Sequence, residues 1–309
     1  MKNKIPKVAI IILNWNKPGL TLECLESLDQ LQVDNYKLQV IVVDNASSDD
    51  SKDKLSNIKL QKAAYKLLVN KENYGFAKGN NIGIKYAIKQ GADYLVLLNN
   101  DTKADSKLIV ELLREIYSNP SAGILSPKIY FAKGYEFHKE RYKKHNLGKV
   151  IWAVGGNVDW NNIYGTNRGV DEVDTGQFDE VDEVDFASGA CLFVKAEVIK
   201  KVGMFDEKYY MYLEDMDFSE RVRKAGFQIC FVPKAVVWHK VSQSSQIGGY
   251  LNDYFISRNR LLFAMKYASS RTKFAIMREA VRLLVHGRKW QKIGIKDYVL
   301  GNLEKGSWN

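Results

Sequence analysis

Only three cysteines occur in 309 residues: Cys24, Cys191 and Cys230, widely spaced and without a CxxC pair. An odd, scattered set argues against a disulfide framework or a cysteine zinc site and fits a reducing compartment, the three thiols belonging to a core. Long apolar runs are also missing. The longest, such as Val8–Leu13 and Tyr94–Leu98, fall far short of the ~18 residues that span a bilayer. Met1-Lys-Asn-Lys-Ile-Pro leads directly into a strand-like run. It lacks the apolar segment and small-residue cleavage site of a signal peptide, so a cytoplasmic chain is expected. There is no internal repeat and no low-complexity tract. An apolar content of 46% supports a substantial core and excludes global disorder.

The net charge of +10 is unevenly spread. Residues 246–309 carry 12 Lys/Arg against 4 Asp/Glu, so +8 of it lies in the last segment. The opposite bias appears between Asp171 and Asp185, where eight acids occur with no basic residue; such a run reads as a solvated loop.

The first 130 residues alternate strand and helix signals. Buried-type strands are expected at Lys7–Leu13, Leu38–Val43, Tyr65–Val69 and Tyr94–Leu98, with another starting at Gly123–Ser126. Helical spacing marks Thr21–Leu31, Phe76–Gln90 and Ser106–Tyr117. Repeated strand–helix units predict a mostly parallel α/β sheet covered by helices. Lys128–Lys149 is basic and irregular, and order returns at Ala190–Lys195, followed by a helix over Ala196–Lys201. A helix over Asp215–Ala225, ended by Gly226, precedes a strand over Phe227–Val232 that Pro233 is expected to stop. Residues 250–290 read as helical and basic. The expected division is a catalytic domain over 1–245, with halves of about 1–127 and 128–245, and a helical extension over 246–309.

Ligands of open α/β sheets bind beyond the carboxyl ends of the strands. Here those ends carry Asn14-Trp15-Asn16-Lys17, Asp44-Asn45 and Asn99-Asn100-Asp101. Turn chemistry also favours Asn and Asp at such places, but three sites together favour function. Asp44 suits an imide N–H of a pyrimidine base, Trp15 a base face, Lys17 a phosphate, and Asp101 a divalent cation bridging a diphosphate. Glu214-Asp215-Met216-Asp217 starts a helix with three carboxylates. That exceeds what capping requires and suits a general base.

These pieces occur in a specific order. Val-Ala-Ile-Ile-Ile-Leu-Asn-Trp-Asn is followed by Val-Ile-Val-Val-Asp-Asn-Ala-Ser-Ser-Asp, Asn-Tyr-Gly-Phe-Ala-Lys-Gly-Asn-Asn-Ile-Gly and Leu-Leu-Asn-Asn-Asp-Thr. Phe186-Ala-Ser-Gly-Ala-Cys-Leu, Gly203-Met-Phe-Asp, Tyr212-Leu-Glu-Asp-Met-Asp-Phe, Val237-Trp-His and Arg258-Asn259 continue the series. Over roughly residues 5–265 the sequence resembles family 2 glycosyltransferases, and within them the rhamnosyltransferase-like branch. The resemblance implies a GT-A type Rossmann-like fold, a nucleotide-sugar donor, Mg²⁺ or Mn²⁺, and a glycan or lipid-linked saccharide acceptor. It implies donor-nucleotide binding by Leu13, Trp15, Lys17, Asp44, Lys78, Asn99 and Asn100, and metal binding by Asp101 and His239. It implies inverting catalysis by Asp215 with Glu214 nearby, and diphosphate or acceptor contacts from Arg258. Ser188 and Gly189, small and tight, suit close approach of a sugar. Asn99 stands where an Asp-x-Asp element has its first acid, Trp15 where smaller aromatics are common, and Lys78 where arginine, with its forked contacts, is frequent. The segment 128–185 reads as a candidate acceptor lid.

The tail places Phe274, Met277, Val281, Leu284 and Val285 at helical spacing among Arg278, Arg282, Arg288 and Lys289. It reads first as a helix packed on the catalytic domain and next as a surface attracted to anionic lipid at the inner membrane face; nucleic acid is the least favoured partner. Two other functions compete. A sugar-nucleotide nucleotidyltransferase would need a glycine-rich basic loop after the first strand, where Asn14–Gly19 stands instead. A non-catalytic nucleotide-sugar binder would dispense with the intact Glu214-Asp215 pair.

Overall fold

A computed structural model describes residues 5–241 and 249–308. The chain begins with β1 (Lys7–Asn14), α1 (Pro18–Leu28), β2 (Lys37–Asp44), α2 (Ser51–Ser56), β3 (Ala64–Val69), α3 (Gly75–Lys89) and β4 (Tyr94–Asn99). There follow β5 (Thr102–Ala104), α4 (Leu108–Ser118), β6 (Ala122–Phe131), β7 (Ile151–Ala153), β8 (Gly156–Asp159), β9 (Tyr164–Asn167) and β10 (Asp182–Glu183). The remainder is β11 (Cys191–Lys195), α5 (Ala196–Val202), α6 (Glu214–Lys224), β12 (Gln228–His239), α7 (Tyr250–Tyr267), α8 (Ser270–His286) and α9 (Lys289–Leu300).

One sheet runs in the order β10-β12-β6-β11-β4-β1-β2-β3. Its parallel half, β4-β1-β2-β3, is in register, with Asn14 beside Asp44 and Leu13 beside Asn99. Three strand ends therefore finish level at one edge. Along β1, Val8, Ile10 and Ile12 join a core under α1 and α4, while Ala9 and Ile11 join the core on the other face, under α3. Both faces are covered, which is why the strand reads as an unbroken apolar run. On α3, Gly79 brings the helix close to β1: a Cβ there would lie 2.6 Å from the Leu13 side chain.

β11 is antiparallel to β4, Cys191 facing Leu98, so the residues entering β11 arrive at the carboxyl end of β4. There the Asn99 amide donates to the Ala190 carbonyl at 2.9 Å. β12 parallels β6 and ends with His239 beside Thr102 of β5.

Several expectations need correction. Helix α1 starts and ends about a turn earlier than its apolar spacing predicts, because Pro18 sits at its first position, where a missing N–H costs nothing. Pro233 does not end its strand. The pairing with β6 slips between Val232 and Val236, and this irregularity takes up the residue that has no N–H to give. The acidic stretch is not wholly solvated. Lys128, 4% exposed, pairs with Asp174 at 2.7 Å and Asp179 at 3.0 Å, and Tyr130 donates to the same Asp174 carboxylate. The segment 128–185 also contributes β7, paired with β6, and the hairpin β8–β9.

The expected domain boundary at 245/246 lies outside the described residues. Helix α7 beyond it is bound tightly to the turn ahead of α6. The Asn259 amide donates to the carbonyls of Tyr209, Met211 and Tyr212 at 2.8–2.9 Å. The Arg258 guanidinium, fully buried, donates to the carbonyls of Lys208, Tyr209 and Glu304. Arg258 is thereby committed to backbone and has no open face for a diphosphate or acceptor, contrary to the role expected for it.

Two stability tests follow from these contacts. Lys128→Met takes the cation from the Asp174 carboxylate, which keeps the Tyr130 and Gly176 donors, and is expected to cost about 1–3 kcal/mol in urea denaturation, with part of it recovered by adding Asp174→Asn. Burial alone would raise the Asp174 carboxyl, but hydrogen bonds from Lys128, Tyr130 and Gly176 outweigh it and hold it below its ordinary value. Its contribution is therefore full above the unfolded carboxyl's pKa and lost as pH falls through the lower folded value. Asn259→Ala takes the side-chain donor from the Met211 and Tyr212 carbonyls, while Tyr209 keeps Arg258, and should cost about 2–3 kcal/mol by the same measurement.

Candidate active site

The level strand ends of β1, β2 and β4 open onto a cleft of about 160 Å³. One wall is formed by Leu13, Trp15, Asn99, Asn100 and Asp101. The facing wall comes from elements distant in sequence: Phe76 of α3, Tyr210 and Met211 ahead of α6, Leu251 of α7 and Trp308. A larger hollow of about 450 Å³ lies between Tyr94, Tyr117 and Lys195. It sits where β4 begins, at the edge opposite to the one α/β sheets use for ligands.

The loops after β1 and β2 are laced together. Asn16 and Lys17 both adopt positive φ, turning the chain sharply. Their backbone amides donate to the Ser47 hydroxyl (2.7 Å) and the Asp49 carboxylate (2.9 Å). Asp44, 1% exposed, accepts from Asn14 at 2.7 Å, from the Ser47 hydroxyl at 2.6 Å and from the Ser47 amide at 3.0 Å. It organises the loop and is absent from the cleft lining, with Oδ1 carrying a single hydrogen bond, from the Ser47 amide. Its neighbour Asn45 does line the cleft and ties β2 to the start of α3 through Asn73, Tyr74 and Gly75. Trp15 is 53% exposed at the mouth. Lys78, in the first turn of α3, lies 4.4 Å over the Tyr74 ring.

Asp101, which lines the cleft, meets His239 beside it. Nε2 of His239 lies 3.0 Å from Oδ1 of Asp101, and both side chains are 7% exposed. The approach lacks hydrogen-bond geometry: Oδ1 of Asp101 and Nδ1 of His239 are buried atoms without a hydrogen-bond partner. Trp152 of β7 packs edge-on against the imidazole, 4.7 Å between ring centroids, and holds its orientation. An orphaned carboxylate oxygen beside an imidazole nitrogen fits a divalent cation as two of its ligands. Among the described residues, no group of three His, Cys, Asp or Glu could complete a site. Remaining positions would fall to ligand oxygens.

The acid pair sits at the start of α6. Tyr210, Tyr212 and Leu213 all have φ between 61° and 69°, a strained approach of the kind that persists where the surroundings over-determine it. The Tyr210 carbonyl accepts the amides of Phe76 and Ala77 at the head of α3. Its ring covers Gly75, which has φ +73 and where a Cβ would come within 2.5 Å. Asp215, partly exposed, accepts from the Gly189 amide at 3.0 Å and its own Met216 amide at 2.8 Å. Gly189 abuts Phe76, so the carboxylate stands just behind the Phe76 wall. Glu214 is buried, with Oε2 unpartnered. Burial and then the Asp215 charge push its carboxyl well above the ordinary value; burial also raises Asp215, against the pull of the Gly189 and Met216 amides. Asp217 serves the fold instead, bound by Tyr209, Arg221, Lys266 and Tyr267.

Of the residues singled out from sequence, Leu13, Trp15, Asn99, Asn100 and Asp101 line the cleft, and His239, Gly189 and Asp215 adjoin its walls. Ser188, buried, accepts the Ala190 amide. Tyr210, Met211, Leu251, Trp308 and Trp152 were not legible as site residues, since neither periodicity nor motif spacing marks an aromatic wall assembled from separate loops.

The sequence profile described as glycosyl transferase family 2 matches residues 9–202. The chain is 30% identical over 153 residues to the N-acetylglucosaminyl-diphospho-decaprenol L-rhamnosyltransferase of Mycobacterium tuberculosis, covering 50% of this chain and 48% of that protein. It thus spans about half that relative's length. To the dTDP-rhamnosyl transferase RfbF of Shigella flexneri it is 26% identical over 285 residues, 89% of this chain and 85% of the other. A mannosyltransferase from Pyrobaculum calidifontis, solved with GDP-Man and Mn²⁺, superposes with a TM-score of 0.56 at 15% identity, over 97% of this chain and 75% of the other. With the expected GT-A-like sheet in place and the profile spanning most of it, this chain belongs to glycosyl transferase family 2.

Proposed function

We propose that the cleft takes a nucleoside-diphosphate sugar and that Asp215 removes the proton of an acceptor hydroxyl. That hydroxyl attacks the anomeric carbon and displaces the nucleoside diphosphate in one inverting step. The observation that carries this reading is the Asp215 carboxylate, fixed by the Gly189 amide beside a cleft that Asp101 lines and His239 adjoins. A single displacement needs one base and no carboxylate nucleophile. The raised Asp215 carboxyl is a stronger base than an ordinary aspartate. Buried Glu214 is pushed up by burial and then by the Asp215 charge beside it.

Trp15 offers the base a stacking face, and Lys78 and Lys17 supply positive charge toward the diphosphate. Asp44 acts through the loop it braces, holding Asn14 and Ser47 where the nucleoside enters. A divalent cation, Mg²⁺ or Mn²⁺, held by Asp101 and His239 would supply Lewis-acid charge to the leaving diphosphate. Because Leu251 and Trp308 line the cleft and Asn259 holds the turn before Asp215, the working unit extends through residue 308. The rhamnosyltransferase relatives favour a dTDP-rhamnose donor and a lipid-linked or polysaccharide acceptor.

Asp215→Asn is expected to lower transfer by at least about a hundredfold while calorimetry finds nucleoside-diphosphate binding little changed. Near-normal turnover by this variant would remove Asp215 as the base. The wild-type rate should fall as pH drops through the Asp215 pKa, at a higher pH than an unperturbed aspartate would give, because protonation removes the base. Asp101→Asn and His239→Ala should each weaken nucleoside-diphosphate binding in the presence of Mn²⁺ and leave the metal-free affinity unchanged. Pyrophosphate-dependent exchange of the nucleotide in the same assays would favour a nucleotidyltransferase.

A further inference from the structure

Helix α8 has two apolar faces, and only one is used. Thr272, Ile276 and Ala280 are buried against the neighbouring helices. On another side, Phe274, Met277, Val281 and Val285 follow at intervals of three and four residues and so form one stripe. They are 71%, 42%, 60% and 61% exposed. Isolated apolar side chains on a surface are ordinary, but four in a continuous row on one helix are not.

The flank of this stripe is cationic. Arg271, Arg278 and Arg282 recur at seven and four residues, a second line about a quarter-turn from the first. All three are exposed, and no described residue pairs with any of them. Between Ser270 and Leu300 there are eight Lys/Arg and two acids, Glu279 and Asp297. Glu279 is engaged by Arg260 at 3.0 Å, and Asp297 is buried among Tyr254, Asn302 and Ser307. Neither acid offsets the exposed cations. Among the described residues, no helix is long and apolar enough to cross a membrane.

We propose that the exposed face of α8 lies on an anionic lipid surface, with Phe274, Met277, Val281 and Val285 inserted at the headgroup–acyl boundary and the arginines on lipid phosphates. Bulky apolar residues beside a line of basic ones match an interfacial helix. A second copy of the chain is the poorer occupant: a two-fold contact would set this cationic face against itself. The inference is independent of the sugar chemistry and stands or falls without it.

Flotation with vesicles tests it, using phosphatidylcholine alone or with a minority of phosphatidylglycerol. The full chain is expected to float with the anionic vesicles, to stay behind with the neutral ones, and to be released as salt is raised. Phe274→Ser with Val281→Ser should cut partitioning by roughly tenfold or more. Arg278→Gln and Arg282→Gln should each cut it roughly fivefold. Each variant should retain wild-type circular dichroism and nucleoside-diphosphate binding, since none lies at the cleft. Absence of flotation with anionic vesicles, or folded variants that float like wild type, would overturn the proposal. So would a dimer, seen by analytical ultracentrifugation, that Phe274→Ser with Val281→Ser dissolves.

Discussion

The amide of Asn259 holds together what the rest of the site relies on. The turn from Tyr209 to Leu213 contains three non-glycine residues in the left-handed region, each a conformation that costs energy unless its surroundings enforce it. Asn259 gathers three carbonyls of that turn, and the neighbouring Arg258 secures the residues on its upstream side. From this fixed turn two things follow. The Tyr210 carbonyl meets the head of α3, setting Phe76, and Leu213 launches α6 with Asp215 turned toward Gly189. A helix far along the chain thus determines where the carboxylate stands.

The sheet supplies the complementary half of the geometry. Four parallel strands in register bring their carboxyl ends level, and reversed β11 starts from the same edge, setting Ala190 against Asn99. β12 reaches that edge only because it absorbs an irregularity around Pro233 and continues to His239. Burial then tunes the chemistry: Glu214 and Asp215 are pushed up by loss of solvent, while Asp101 keeps an orphaned oxygen 3.0 Å from Nε2 of His239.

Much of this was readable in the residues. Unbroken apolar runs in β1, β2 and β4 betray strands covered on both faces, and polar residues directly after them mark the ligand edge. Gly226, at φ +87, closes α6 where its sequence says it should. What escaped has a common cause. The bonds of Asp44 to Asn14 and Ser47 depend on how two loops fold together, which no local pattern records. Arg258 looks like a ligand arginine and is spent on carbonyls. The wall of Tyr210, Met211, Leu251 and Trp308 joins residues about a hundred positions apart, and local pattern cannot register such a meeting. The acidic stretch 171–185 conceals Asp174 because its partner, Lys128, lies outside it.

The three thiols have a practical corollary. Cys24, Cys191 and Cys230 are all buried. Burial pushes Cys24 up to about 12 and Cys230 to about 11, and drives Cys191 up as well. Few thiolates form at neutral pH, so alkylating reagents and mild oxidants find little to attack in the folded chain. A cysteine engineered onto the surface would consequently take up a fluorophore or spin label selectively, with the native three left in place as silent spectators.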